Sequence, residues 1–375
     1  MARPDVLVVG GGVVGTVAAI ELAEAGARVG IVDAGMNAGS NANAGSLHVQ
    51  MQSRFMRLYP DQVPNIEASL PFYRAAADEW VALEARLGPF ELVRKGGLML
   101  AEGPDQLSFL EAKARREAAK GLAVEILDRA ALDRIAPWLG PQIVGAELCR
   151  DEGKLNPLVA NRRLIARAEA LGVIRLTDRI ARIEMDGTGV TAHSAERRYA
   201  ADQIVLAAAW GTGEVVRDLG LSIPTTAEPL HMNITEPGQV VIQHLVQHAE
   251  RSITLKQFGS GQIVIGGGWP ARGRGPERPP DVIAGSLLGN VALAARLVPA
   301  IGGLRVIRTW AGMNTTMDGA SAIGRLPGAP RVIAAVPGDA GYTLGPLVAR
   351  IAAAVALDRT PPFDPEPFDP KRFAT

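Results

Sequence analysis

Cysteine is nearly missing from this chain of 375 residues, with Cys149 the single one. That excludes an internal disulfide framework and any iron–sulfur cluster ligated by cysteines of this chain alone. Net charge is missing as well. Lysine plus arginine and aspartate plus glutamate both number 39, so nothing in the balance favours nucleic acid or an anionic membrane as a partner. No run of 18 apolar residues is free of charges and helix breakers, so no membrane-spanning helix is predicted. The start, "MARPDVLVVGGG", passes directly into a strand and lacks the regions of a signal peptide. Together these absences predict a cytoplasmic protein.

What is present is apolar. The chain is 47% hydrophobic and 21% charged, enough for a large core, and its length exceeds the usual size of one core. Two domains are expected, not necessarily contiguous in sequence. "DVLVV" (5–9) has the Val-rich apolar run of a buried parallel strand. Gly10, Gly12 and Gly15 follow as G-x-G-x-x-G, then the helical pattern "TVAAIELAEAG" stops at Gly26. A second strand, "RVGIVD", ends on Asp33, 18 residues after Gly15. In a dinucleotide βαβ unit these positions have distinct tasks. Gly10 makes the tight turn, Gly12 lets backbone approach a pyrophosphate, and Gly15 lets the helix pack on the strand. Asp33 accepts from a ribose 2′-hydroxyl.

One such fingerprint predicts one dinucleotide. About sixty residues, including a long helix at 65–87, separate this unit from the next strand, "GGLMLAE" (96–102). That spacing suits a cofactor extending well beyond its phosphates, as FAD does, better than the repeated βαβ units of a plain dehydrogenase. The interval opens with "GSNANAGSLHVQ" (39–50), a polar stretch with almost nothing to bury. Further helices are predicted at 104–121, 156–173 and around 285–297, with strands between them and a Pro-rich tail covering the surface. His244 and His248, four apart, suggest a metal pair if helical, but no Cys or acidic cluster completes a site, and a helix surface is the preferred reading. No metal is expected. Trp210, Trp269 and Trp310 are read as core or pocket-wall residues.

The order "VLVVGGGVVG…IVD…SNANAGSLHVQ…GGLML…IVLAAAWGT…TWAGMNTTMDGASAIG…GDAGYTLGP" resembles the D-amino-acid oxidase/dehydrogenase family of FAD-dependent oxidoreductases over nearly the whole chain. "HMNITEP", "ITLKQFGSGQIVIGGGWPA" and "TWAGMNTTMDG" are most similar to FAD subunits of opine oxidases and D-hydroxyproline or proline-type dehydrogenases. The resemblance implies an α/β fold: a Rossmann-type FAD-binding domain from 1–85, 145–215 and 305–375, and an α+β substrate domain from 86–144 and 216–304 with a mixed or antiparallel sheet. It implies noncovalent FAD, since Gly312 stands where monomeric sarcosine oxidases carry their flavin-linked cysteine. Asn43, Ala44 and Gly45 would line the flavin edge, and Ile180 would meet the adenine through its backbone. "LAAAWGT" would close over the nucleotide, with Ala209 in place of the usual glycine. Amides at 341–344 would face the flavin N1–C2=O. The full expected cofactor set adds Val13, Val14, Ala34, Gly35, Ser40, Asn41, Ala207, Ala208, Trp210, Gly338, Gly341, Tyr342, Thr343 and Leu344.

The resemblance further implies hydride transfer from the α-carbon of an amino acid or secondary amine carboxylate to flavin N5, with electrons passed to partner subunits carrying iron–sulfur clusters and nucleotides. A self-contained oxidase making H2O2 and a non-catalytic flavin-binding or assembly subunit are the alternatives. His48, Lys256 and Tyr342 are the expected catalytic residues; His48, Gln50, Lys256 and Asn314 are expected at the substrate. His48 contacts substrate or, alternatively, is a half-buried imidazole bonded to backbone. Asn314 stands where relatives often have the carboxylate-gripping Arg, which leaves Lys256, Arg54 and Arg57 as candidates for that task.

Overall fold

A computed structural model describes residues 3–36, 38–185, 187, 189–275 and 278–374. The predicted βαβ unit forms as Val6–Val9, the helix Val13–Glu24 and Val29–Asp33. Val6–Val9 is buried along its whole length because it pairs in parallel on both sides, with Gln203–Leu206 and Val29–Asp33. Its helix is apolar around most of its circumference. Such a helix must be covered on all sides, and Pro157–Ala170 and Gly341–Ala356 pack against it. The full sheet has six strands, ordered Ala322–Leu326, Ala329–Val336, Gln203–Leu206, Val6–Val9, Val29–Asp33 and Ile174–Thr177. A three-stranded antiparallel sheet of Arg182–Met185, Val190–His193 and Arg198–Ala201 is inserted between its strands Ile174–Thr177 and Gln203–Leu206.

The second layer is an eight-stranded mixed sheet. Its order is Val306–Thr316, Thr226–Thr235, Ile263–Gly266, Thr254–Gln257, Leu245–His248, Gly97–Ala101, Gly145–Cys149 and Val124–Asp128. Leu98, Leu255 and Ile265 share a cluster with Leu293, Ala294 and Leu297 of the helix Ala284–Leu297, which covers one face. Two segments expected in the nucleotide domain belong here by pairing: Gly145–Cys149 ladders with Gly97–Ala101, and Val306–Thr316 with Thr226–Thr235. Strand partners far apart in sequence leave no local signal, which is why the expected boundaries at 145 and 305 cut this sheet. The Pro-rich tail forms short 3₁₀ turns and buries Phe368 against Phe72, ring centroids 4.5 Å apart.

Between the helix Pro104–Ala119 and the strand Gly145–Cys149 lies a fully buried ion cluster. Lys113 Nζ is 2.9 Å from Glu117 Oε1 and 2.8 Å from Glu147 Oε2, and all three side chains are shut off from solvent. Burial opposes the Lys113 charge, but its contacts with Glu117 and Glu147, Glu117 foremost, outweigh it and raise the lysine. Burial, opposed by Lys113 and reinforced by Glu117, pushes Glu147 up to about 9, so it keeps its proton at neutral pH.

Glu147 is therefore protonated in the fold and ionised in the unfolded chain from the usual carboxylate range up to about 9. Its stabilisation is full in acid and declines as pH rises through that window. Glu147→Gln does not titrate. The thermal midpoint advantage of the wild type over this variant is expected to be largest at about pH 4 and to shrink steadily toward about pH 9; a difference independent of pH would contradict this.

Candidate active site

The glycine turn is closed to side chains. Gly10 has φ +105°, and a Cβ there would lie 2.2 Å from the Ala207 carbonyl oxygen; one at Gly15 would lie 1.8 Å from that of Gly10. Asp33 braces the turn. Its Oδ2 accepts from Gly11 N (2.6 Å) and its Oδ1 from Gly35 N (2.8 Å). The Val13 amide donates to Ser40 Oγ at 2.9 Å, tying the polar segment to the helix start. Ser40 and Asn41 are in turn held by the Asn161 amide.

A cavity of about 320 Å³ begins at this helix start. Its wall includes Gly12, Val13, Val14, Ser40, Asn43, Ala44, His48, Gln50, Ala207, Trp210, Asn314, Gly338, Gly341, Tyr342 and Thr343. Of the expected positions, Gly10, Gly15, Asp33, Ala34, Gly35, Asn41, Gly45, Ile180, Ala208, Leu344 and Lys256 lie outside that wall. Gly45 acts from behind it. Its φ is +79°, and a Cβ would meet the Leu155 carbonyl oxygen at 2.1 Å. Of the amides at 341–344, that of Leu344 donates to the Ala340 carbonyl (3.0 Å), which leaves the first-turn amides of Gly341, Tyr342 and Thr343 with no carbonyl of their own helix in reach. Ala209, on the wall, adopts φ +52°, the conformation the expected glycine would take without strain.

The segment from His48 to Met51 hangs on side chains. His48 N donates to Thr343 Oγ1 (3.0 Å), Val49 N and Gln50 N to Glu152 Oε1 (2.9 and 3.3 Å), and Met51 N to Glu117 Oε1 (2.6 Å). The His48 side chain is 23% exposed, with Nδ1 3.8 Å from Glu152 Oε1. Gln50, expected at the substrate beside His48, is buried. Its amide bridges Lys113 Nζ (3.0 Å) and Glu152 Oε2 (2.8 Å).

Other expected residues divide similarly. Lys256 is fully buried, and its Nζ donates to Ser46 Oγ at 2.7 Å. Burial, with Lys154 adding repulsion, lowers it to about 7. The Tyr342 hydroxyl donates to Asn161 Oδ1 (3.0 Å) and its ring stacks on Trp80, so the phenol is engaged in the core. Arg54 lines the cavity and pairs with Glu228, whereas Arg57 is bound to the Ala249 and Glu250 carbonyls. Trp310 bonds the Ala42 carbonyl. A Cβ at Gly312 would lie 2.9 Å from that of Ala42, so this position has no room for a side chain, a linked cysteine included. His248 ends the strand Leu245–His248 and His244 directly precedes it, so the helical reading of this pair does not hold. Both are buried, and burial lowers each to about 4. Among the described residues no group of three or more His, Cys, Asp or Glu is placed to hold a metal ion.

Sequence reasoning missed Glu152, Glu228, Arg251 and Asp339. The last three line the cavity. Burial, reinforced by the Glu228 charge, raises Asp339 to about 7. Nothing in "CRDEGKLNP" marks Glu152. Asp339, inside "GDAGYTLGP", had the better signal, an acid between the glycines of a cofactor loop.

A Cβ at Gly12 would lie 2.9 Å from Ser40 Oγ, so Gly12→Val drives this hydroxyl from the Val13 amide and fills the approach to the helix start. Bound flavin absorbance per chain is expected to be lost while far-ultraviolet circular dichroism is retained. Ala209→Gly relieves a left-handed Cβ and is expected to stabilise the fold by about 1 kcal/mol in thermal or denaturant unfolding.

A cradle closed to side chains, a braced acid at the second strand, and a cavity running from one helix start to another fit FAD. The chain matches the FAD dependent oxidoreductase (DAO) family over residues 5–355. It is 27% identical over 340 residues to an opine oxidase subunit of Rhizobium meliloti, covering 85% of this chain and 84% of that one. It is 25% identical to glycine oxidase of Bacillus licheniformis over 88% and 86% of the two chains. The crystal structure of glycine oxidase from Geobacillus kaustophilus superposes with a TM-score of 0.85 at 23% identity, covering 99% of each chain. The chain therefore belongs to the DAO family of FAD-dependent oxidoreductases, and it is an FAD-dependent enzyme that oxidises amino acids or amines.

Proposed function

We propose that this enzyme oxidises an amine that carries a carboxylate, of the opine or D-hydroxyproline/proline type, and passes the electrons to partner subunits in the cytoplasm. The observation that carries this reading is the single cavity joining the glycine turn to His48, Asn314 and the cation Arg54. FAD, noncovalently bound, supplies the hydride acceptor. Arg54 takes the substrate carboxylate, exchanging part of its pairing with Glu228, and Asn314 on the neighbouring strand adds a neutral contact. His48 meets the amine and holds it for loss of a proton. Lys256, which titrates near neutral pH, acts from beneath through Ser46. Gln50 and Tyr342 serve by support, the first holding the His48 segment and the second presenting its backbone amide.

The likeness to a protein named as a subunit favours partner chains as electron acceptors. The likeness to glycine oxidases favours a second reading, direct reduction of oxygen to H2O2.

Anaerobic mixing with opines, D-hydroxyproline, proline, glycine and sarcosine, followed by flavin absorbance, tests the proposal. At least one opine or proline-type amine is expected to bleach the flavin, and His48→Ala is expected to slow that step by about 10²–10⁴-fold with FAD content intact. Bleaching by none of them, alone or with partner subunits, would favour a non-catalytic flavin-binding role. Peroxide from the single chain in air would favour the oxidase.

A further inference from the structure

Glu152 lies in the short turn between Gly145–Cys149 and Gly153–Lys154 and is fully buried. Its Oε1 accepts from the amides of Val49 and Gln50, and its Oε2 from Gln50 Nε2 (2.8 Å) and Gln247 Nε2 (2.6 Å). The orientation of Gln50 is fixed from its far end. Lys113 Nζ is a donor only, so Gln50 Oε1 must face it and Nε2 must face the carboxylate. The two backbone amides and Gln50 Nε2 thus donate to Glu152, and Gln247 presents its Nε2 as the fourth donor, an arrangement that suits an ionised carboxylate.

A fifth group lies over the same oxygen. His48 Nδ1, 3.8 Å from Glu152 Oε1, is buried and has no hydrogen-bond partner. The exposed part of the ring is therefore away from Nδ1, on the side that lines the cavity. A bare Nδ1 would set its lone pair against a negative oxygen, whereas an N–H there turns the positive end of its dipole toward it. Other charged or titratable groups on the cavity wall are engaged elsewhere or set apart. Arg54 pairs with Glu228, Arg251 with Glu102, and Asp339 lies in the loop before the helix Gly341–Ala356. Lys256 bonds Ser46. Among the described residues, Glu152 is the acid that forms an ion-pair contact with the His48 ring.

We propose that Glu152 is a positioning residue that holds His48 in its Nδ1–H tautomer, leaving Nε2 as a bare acceptor for an N–H of the substrate. The amine-oxidising reading supplies the group that Nε2 receives. The tautomer itself follows from the buried carboxylate and does not depend on that reading.

The test is nitrogen NMR on the FAD-loaded, full-length protein with ¹⁵N-labelled histidine, recorded at about pH 8.5, above the ordinary imidazole range. Five histidines contribute, and His48→Ala identifies the signals of His48. A pyrrole-type shift for Nδ1 and a pyridine-type shift for Nε2 are expected. The reverse pattern, or two protonated nitrogens at that pH, overturns the proposal. In Glu152→Gln, checked for FAD content and circular dichroism, the single tautomer is expected to give way to a mixture. An unchanged Nδ1–H tautomer there removes Glu152 from the role. The wild-type spectrum decides the tautomer even if that variant does not fold. An Nδ1–H tautomer in a protein whose flavin no amine bleaches would leave this inference standing and remove the catalytic reading.

Discussion

Four consecutive amides, from His48 to Met51, are held by side chains from three other parts of the chain. Thr343 comes from the last long helix, Glu152 from the turn that leaves the eight-stranded sheet after Gly145–Cys149, and Glu117 from the helix Pro104–Ala119. A segment without a ladder has to find acceptors for its amides or leave them unsatisfied in the core. Here the acceptors are mainly carboxylates, which bond amides more strongly than neutral oxygens do. The segment consequently ties the helix Gly341–Ala356 to the turn after Gly145–Cys149 and to the helix Pro104–Ala119, and His48 is fixed among them.

This device brings its own cost, because carboxylates shut off from water must be compensated. Lys113 is positioned to do this for Glu117 and Glu147, and Glu147 is neutralised by holding a proton. Gln50 connects that cluster to Glu152. Its place in the sequence suggests a ligand, yet its two polar ends are engaged by a cation and an anion in the core. Lys256 lies near the same region with a hydroxyl for its partner, and burial brings it close to neutrality at physiological pH. Glu152 itself has neutral donors for hydrogen-bond partners, a setting in which one carboxylate under one imidazole carries weight.

The parts of the fold legible in the sequence were those governed by local rules. Gly10, Gly12, Gly15 and Asp33 were readable because a tight turn, a close backbone approach and a helix packed on a strand each demand a particular residue at a fixed spacing. The helices at 63–87 and 104–119 were readable from their apolar period. Ala209 illustrates the same rule from the other side: the sequence departs from glycine, and the backbone keeps the glycine conformation at φ +52°. The pair His244 and His248 was misread because a spacing of four has meaning only on a helix, and this segment is strand.

The sequence by itself determined the nucleotide cradle, the family and the cofactor, since these rest on short-range spacing and on motifs that keep their order along the chain. Only the tertiary structure decided which polar residues face the cavity. Glu152 and Gln50 are 102 positions apart, Lys256 and Ser46 are 210 apart, and Thr343 and His48 are 295 apart. A buried hydrogen bond depends on two groups meeting in space, and separations of this size leave no periodicity or motif from which the meeting is read.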